Sequence, residues 1–208
     1  MENELKKAKY NYILNSSKVY VLKEGLSGLT IAGLARELNI GEATIYRYFG
    51  TRAKLIVKIG VSLWQDTYTI LKNNKKCSNA FEDIESFFNI FYKLFVDNKN
   101  NYKVIDEFDQ MLSKKTISKD LLVEYNDTIL KVKRIFDEFY KQGIEDGSVR
   151  SDIDPDAFYY SATHMLLGLC KKLATQYQLI LCDDCIEETL QIKTGIQMVL
   201  KYIKNEEK

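Results

Sequence analysis

The chain has 208 residues and a net charge of +1, and 46% of it is apolar or aromatic, enough for a substantial core. No uninterrupted apolar run is long enough for a transmembrane helix. The opening MENELKKAKYNYIL lacks an apolar stretch ahead of a small-residue cleavage site, so no secretory signal is read and a cytoplasmic protein is expected.

The charge is unevenly spread. Residues 1–58 hold ten basic groups against five acidic ones, and the remainder holds twenty against twenty-four. A basic first quarter on an acidic body suits an N-terminal part that meets an anionic partner. Pro155 is the only proline, and six of the ten glycines fall in the first 60 residues, so long helices are expected after that point. No hairpin signal or strand alternation stands out. The chain reads as all-α.

In chain order, Ile13, Ser16, Ser17, Tyr20 and Val21 share one face of a first helix over 4–24, and Gly25 suits its C-cap. Thr30 is an N-cap for a second helix through Leu38, with Ile31, Leu34, Ala35 and Leu38 inward. Asn39 tolerates positive φ, Ile40 plugs the core, and Gly41 opens a third helix, Glu42 to about Tyr48. Two short helices across a tight turn make a helix-turn-helix. A long fourth helix follows over 52–72. The polar KNNKKCSN then leads to helices near 79–97, 101–114, 119–146, 155–180 and 184–204, about nine in all. Asp154-Pro155 is a strong start signal for the eighth. The expected division is a reader over 1–55, continuing into the linking helix 52–72, and a second domain over 73–208.

ILNSSKVYVLKEG and LTIAGLARELNIGEATIYRYFGTRAKL, from Ile13 to Leu55, resemble the N-terminal pattern of the TetR family of transcriptional regulators. Thr30, Ala35, Thr44, Ile45, Tyr46, Phe49 and Leu55 fall where that family places those residue types. Two positions depart from the pattern: Asn39 stands where Gly is usual, and Gly41 where a capping Ser or Thr is usual. The resemblance implies a dimeric repressor that binds a palindromic double-stranded operator. It also implies a small-molecule effector that weakens DNA binding by tilting the fourth helix, a helical-bundle ligand-binding and dimerisation domain, and no cofactor or membrane partner.

On this reading Glu42, Ala43, Thr44 and Arg47 lie toward the exposed side of the recognition helix. Arg47 is suited to a bidentate guanine contact, and Ala43 or the Thr44 methyl to a thymine methyl. Tyr46, Tyr48 and Arg52 are expected on phosphates, with backbone N–H at Gly41 and the Thr30 cap beside them. For the effector pocket the candidates are Trp64, Phe88, Phe91, Tyr92, Phe95, Phe108, Phe136, Tyr140 and His164, although core packing explains any one aromatic as well. AFYYSATHMLLGLC and TLQIKTGIQMVLKYI are apolar on more than one side. They nominate a dimer interface with His164, Leu167, Gly168, Gly195, Val199 and Tyr202. Gly168 and Gly195, mid-helix, are read as close helix crossings.

Two other classes compete. Cys182 and Cys185 have redox-motif spacing, which would make a helical thiol-redox protein, but no βαβ pattern precedes them. With no Cys/His pair nearby a closed zinc site is not read, and ordinary thiols near a helix capped by Asp183 or Asp184 are expected. A protein-binding helical adaptor is the third class, and it has no use for Tyr46-Arg47-Tyr48 outside. Asp106, Glu107 and the other carboxylates show no spacing that calls for catalysis, and no enzyme is read.

Overall fold

The structure, a computed structural model, describes residues 2–114, 117–175 and 186–206. Nine α-helices are present among the described residues: α1 Glu2–Glu24, α2 Ile31–Glu37, α3 Glu42–Phe49, α4 Arg52–Asn73, α5 Ala80–Asn98, α6 Asn100–Ser113, α7 Val123–Glu145, α8 Pro155–Thr175 and α9 Glu188–Ile203. The all-α expectation holds. The chain forms two compact units, residues 1–66 with 103–128, and 67–102 with 129–208. The first is larger than the expected reader, because residues 103–128 pack with it.

In the first unit α1 presents Ile13, Ser17 and Val21 to the core, the face its spacing predicted. The buried Ser17 hydroxyl donates to Ile13 O at 2.7 Å, so no polar group is stranded. Gly25, at φ +78°, ends α1 in the left-handed conformation that favours glycine. Thr30 caps α2, its hydroxyl accepting from Gly33 N–H at 3.0 Å. Asn39 takes φ +50° in the turn to α3. Leu34, Ile45, Phe49, Leu55, Ile56 and Ile59 complete the core, and Tyr10 stacks on Phe49 at 4.9 Å. Ile40 is only half-buried, so it plugs the core less than expected.

The second unit is built on an aromatic centre. Phe136 of α7 is fully buried, with ring centroids of Phe87 at 5.6 Å, Phe88 at 5.9 Å, Tyr159 at 5.1 Å and Phe158 at 6.0 Å. Edge and tilted packings of this kind add to plain burial. Lys133 ties α7 to α8, its ammonium 2.7 Å from both Asp137 and Asp156. Asn79 caps α5, accepting from Glu82 N–H at 3.0 Å, and Asp154 caps α8, accepting from Ala157 N–H at 2.7 Å.

Three local features differ from expectation. The seventh helix is preceded by a separate 3-10 turn, Lys119–Leu122. The cap of α9 is Glu187 rather than Asp183 or Asp184, and it makes no side-chain cap bond. GSVRSDID does more than turn: Arg150 N–H donates to Ile203 O at 2.9 Å and Asn205 N–H to Ser148 O at 3.1 Å, forming one antiparallel bridge, Val149 with Lys204. A single bridge leaves no alternation to read in sequence. Cys182 and Cys185 lie outside the described residues.

Candidate nucleic-acid interface

The exposed face of α3 is built by what its other face buries. Ile45 and Phe49 point inward at 1% and 5% exposure, four residues apart on one side. That fixes Glu42, Ala43, Tyr46 and Arg47 outward, with Thr44 and Tyr48 half-buried at the edges. The Arg47 guanidinium lies 5.4 Å over the Tyr48 ring, which holds the arginine along the helix rather than leaving it to sweep freely. Small residues at 43 and 44 leave the first turn slim enough to approach a base-pair edge.

The helix starts at Gly41, in extended backbone at φ −72° and ψ 144°, with no side-chain cap. A Cβ at this position would meet nothing within 4 Å. Gly41→Ser is therefore expected to add the missing cap and raise stability by a few tenths of a kcal/mol, read as a small rise in Tm. A fall in Tm would show that glycine is needed there for another reason.

Arg52 departs from the sequence expectation. Its Nε donates to Leu29 O at 2.6 Å and its Nη2 donates to Leu26 O at 2.8 Å, so the guanidinium is spent on the turn between α1 and α2 rather than offered to a phosphate. The cation left outward at the start of α4 is Lys54, which sequence reading passed over. Thr51 caps that helix, accepting from Lys54 N–H at 3.1 Å. The signal was present: a threonine directly before Arg52 is a cap, and the cap places Lys54 in the first turn.

The pocket candidates do not meet in one chamber. Phe88, Phe136 and Tyr140 belong to the aromatic centre of the second unit. Phe95 packs on Tyr102 at 6.0 Å, and the Phe91 carbonyl accepts from the Tyr102 hydroxyl at 2.9 Å. Lys193 stands 4.6 Å over the ring of Tyr92. His164 is exposed beside Tyr160. Trp64 and Phe108, in the first unit, border a void together. It is a cavity of about 10 Å³, about one water's worth, with Tyr125 as the third ring. Trp64 Nε1–H donates to the Tyr125 hydroxyl at 3.0 Å. Burial pushes the Tyr125 phenol up to about 12, with the Trp64 bond working against the rise.

The interface candidates divide as well. His164, Gly168 and Tyr202 face outward. Val199 is buried, Leu167 is half-buried, and a Cβ on Gly195 would sit 3.3 Å from Leu166 and Leu169 of the same chain. The close crossing read at Gly195 is thus between α8 and α9 of one protomer. Outward on these helices stand Tyr160, Met165, Leu190 and Met198, each 45% exposed or more. Met165 and Met198 line an open groove of about 620 Å³ together with Phe158 and Tyr202.

Of the described cysteines, Cys77 is exposed and Cys170 is buried, its thiol pushed up to about 12 by burial against the opposing pull of Tyr102. Among the described residues no group of three or more His, Cys, Asp or Glu side chains could hold a metal. No described helix is long and apolar enough to cross a membrane.

Residues 13–59, which span α1 to the first turns of α4, match the family profile described as bacterial regulatory proteins, tetR family. The helix-turn-helix within residues 13–59 is that of the TetR family. The whole chain shares the TetR regulator fold. It is similar to a TetR-family regulator from Agrobacterium tumefaciens (12% identity, 96% of this chain and 100% of that one, TM-score 0.73). A transcriptional regulator from Saccharomonospora viridis in complex with choline is comparable (16%, 96% and 100%, 0.74). So is FadR from Bacillus subtilis in complex with stearoyl-CoA (15%, 92% and 97%, 0.67). No curated protein matches the chain. The match thus covers the helix-turn-helix with its departures at Asn39 and Gly41 and its outward α3 face.

Proposed function

We propose that the protein is a dimeric repressor that reads a palindromic operator with α3 and is released from it by a small-molecule effector. The observation that carries the reading is the outward set Glu42, Ala43, Tyr46 and Arg47 on a helix whose inner face is locked by Ile45 and Phe49. Arg47 reads a guanine; Ala43 and Thr44 border a thymine methyl; Tyr46, Tyr48, Lys54 and the backbone at Gly41 hold phosphates. The activity is binding, and no catalytic role is assigned. A DNA-binding role goes with a cytoplasmic location.

The dimer is formed by α8 and α9 with a second copy of the chain. Gly168 supports this. It is exposed, a Cβ there would meet nothing within 4 Å, and glycine in mid-helix costs about 1 kcal/mol against alanine. Nothing among the described residues repays that cost, whereas a second helix lying close at this point does. The neighbouring Tyr160, Met165, Met198 and Tyr202 supply the apolar surface. The effector is small, but the fold does not choose its chemistry, since similar regulators hold a long acyl-CoA in one case and choline in another.

A gel shift with DNA from around its own promoter, or with sites selected from a random pool, tests the reading. Specific, salt-sensitive binding is expected; uniform weak binding to every sequence would overturn it. Arg47→Ala is expected to lower affinity by about 1–3 kcal/mol and to relax preference at one base pair per half-site. An equal fall on all sequences would make Arg47 a phosphate contact.

A further inference from the structure

Residues 27–58 carry two carboxylates, Glu37 and Glu42, against Arg36, Arg47, Arg52, Lys54 and Lys58. Glu37 closes α2. Glu42 is the first residue of α3, and it is exposed. Its carboxylate makes no hydrogen bond or ion pair among the described residues. Its own helix supplies no cation in reach. Ile45 and Tyr46 stand three and four residues on, the spacings that bring helix side chains together. Arg47 is one step further round, and its guanidinium is held over the Tyr48 ring.

An unpaired carboxylate at this place works against binding to DNA in general. The N-terminal residues of a recognition helix are the ones that reach base edges. Phosphates repel a carboxylate, and a charge pressed into an interface without a partner costs affinity. Only a hydrogen-bond donor on the groove floor offsets that cost, because an ionised carboxylate accepts and cannot donate. Guanine presents N7 and O6 there, both acceptors, and thymine presents an acceptor and a methyl group. Adenine has a donor at N6, but the acceptor N7 beside it repels the second carboxylate oxygen. Cytosine presents its N4 amino group with no acceptor on the same base edge.

We propose that Glu42 is a specificity-determining residue: it accepts a hydrogen bond from the N4 amino group of one cytosine in each half-site and rejects guanine and thymine at that base. The inference rests on the DNA-binding reading above and gives the operator a second fixed letter. Five residues separate Glu42 from Arg47, about 7.5 Å along a helix axis. At about 3.4 Å per base pair, the cytosine falls about two base pairs from the guanine that Arg47 reads. Discrimination is gained at the expense of general affinity, since the same carboxylate weakens binding to every site that lacks the donor.

Sites selected from a random pool by the wild type, by Glu42→Gln and by Glu42→Ala test the assignment, with Tm measured for each. The wild type is expected to select cytosine at that position and to lose about tenfold in affinity when thymine replaces it. Glu42→Ala is expected to lose the preference at that base pair alone and to bind random DNA about threefold more tightly. Glu42→Gln carries a donor beside its acceptor, the pair that adenine N7 and N6 answer, and is expected to move the preference from cytosine to adenine. A glutamate in the first turn also suits the positive end of the helix dipole. If that were its whole role, Glu42→Ala would lower Tm and weaken every sequence alike, Glu42→Gln would leave the selected bases unchanged, and the proposal would be overturned. A wild-type site in which no base pair answers to either substitution would overturn it as well. If the wild type selects no sites at all, the DNA-binding reading falls first and the role of Glu42 falls with it.

Discussion

Gly168→Glu is expected to give a folded monomer that has lost about 10²–10⁴ in operator affinity, the factor a linked second binding event supplies. The protomer has room for the change, since Gly168 is exposed and a Cβ there would meet nothing within 4 Å. Helix propensity favours it as well, because glutamate is the better helix former. The charge would instead be buried, unpaired, against its own copy across the two-fold axis. The slope of log K against log salt should become shallower as half the phosphate contacts go. Sedimentation with a salt series checks both parts, and a variant that stays dimeric would move the interface off α8. Gly195→Glu is a poorer test. Its side chain would start 3.3 Å from Leu166 and Leu169, so it would disturb the protomer's own packing before reaching any partner.

Arg52→Ala is expected to destabilise the first unit by about 2–4 kcal/mol and to lower binding to every sequence alike by reducing the folded fraction. The guanidinium satisfies two carbonyls at once, 23 and 26 residues back in the chain. A hydrogen bond to a charged group contributes about 1.5–3 kcal/mol, and the two bonds of one side chain add less than twice that. Arg52→Lys should recover little, because an ammonium cannot reproduce the planar fork that reaches both oxygens. Thermal unfolding decides the matter. A phosphate contact would leave Tm unchanged and reduce the salt slope by about one. A lower Tm with specificity retained in the surviving folded fraction is the signature of the structural role.

The contrast between Thr30 and Arg52 shows how far sequence reading reaches. Thr30 was legible because its partner, Gly33 N–H, is three residues away and the cap rule is local. Gly25, Asn39 and Asp154-Pro155 were legible for the same reason, as was the inward face Ile45–Phe49. Arg52 was misread because an arginine at a helix start suits either a phosphate or a backbone carbonyl, and its actual partners are remote in sequence. Glu107 was passed over for want of catalytic spacing, and its partners lie 81 and 80 residues away. On α9 the sequence showed two apolar stripes but not which one meets α8. Val199 turned inward and Met198 outward, a choice made by packing alone. Three of the aromatics that looked like pocket walls, Phe88, Phe136 and Tyr140, belong to a filled centre, because helical spacing places rings on a face without saying what lies opposite.

The discontinuity of the first unit bears on how such regulators can be recombined. A cut after residue 55 or 72 looks natural on the sequence, and a chimera made there would carry the complete helix-turn-helix. It would leave behind Glu107, Phe108 and Tyr125, which belong to the same compact unit. Leu26 N–H and the Ser27 hydroxyl would lose their acceptor, and with the cut after 72 the Trp64 indole its partner. The transplantable cassette is therefore α1 to α4 together with residues 103–128. A host body able to accept the reader alone has to offer, on its own sixth helix, a carboxylate at the height of Leu26.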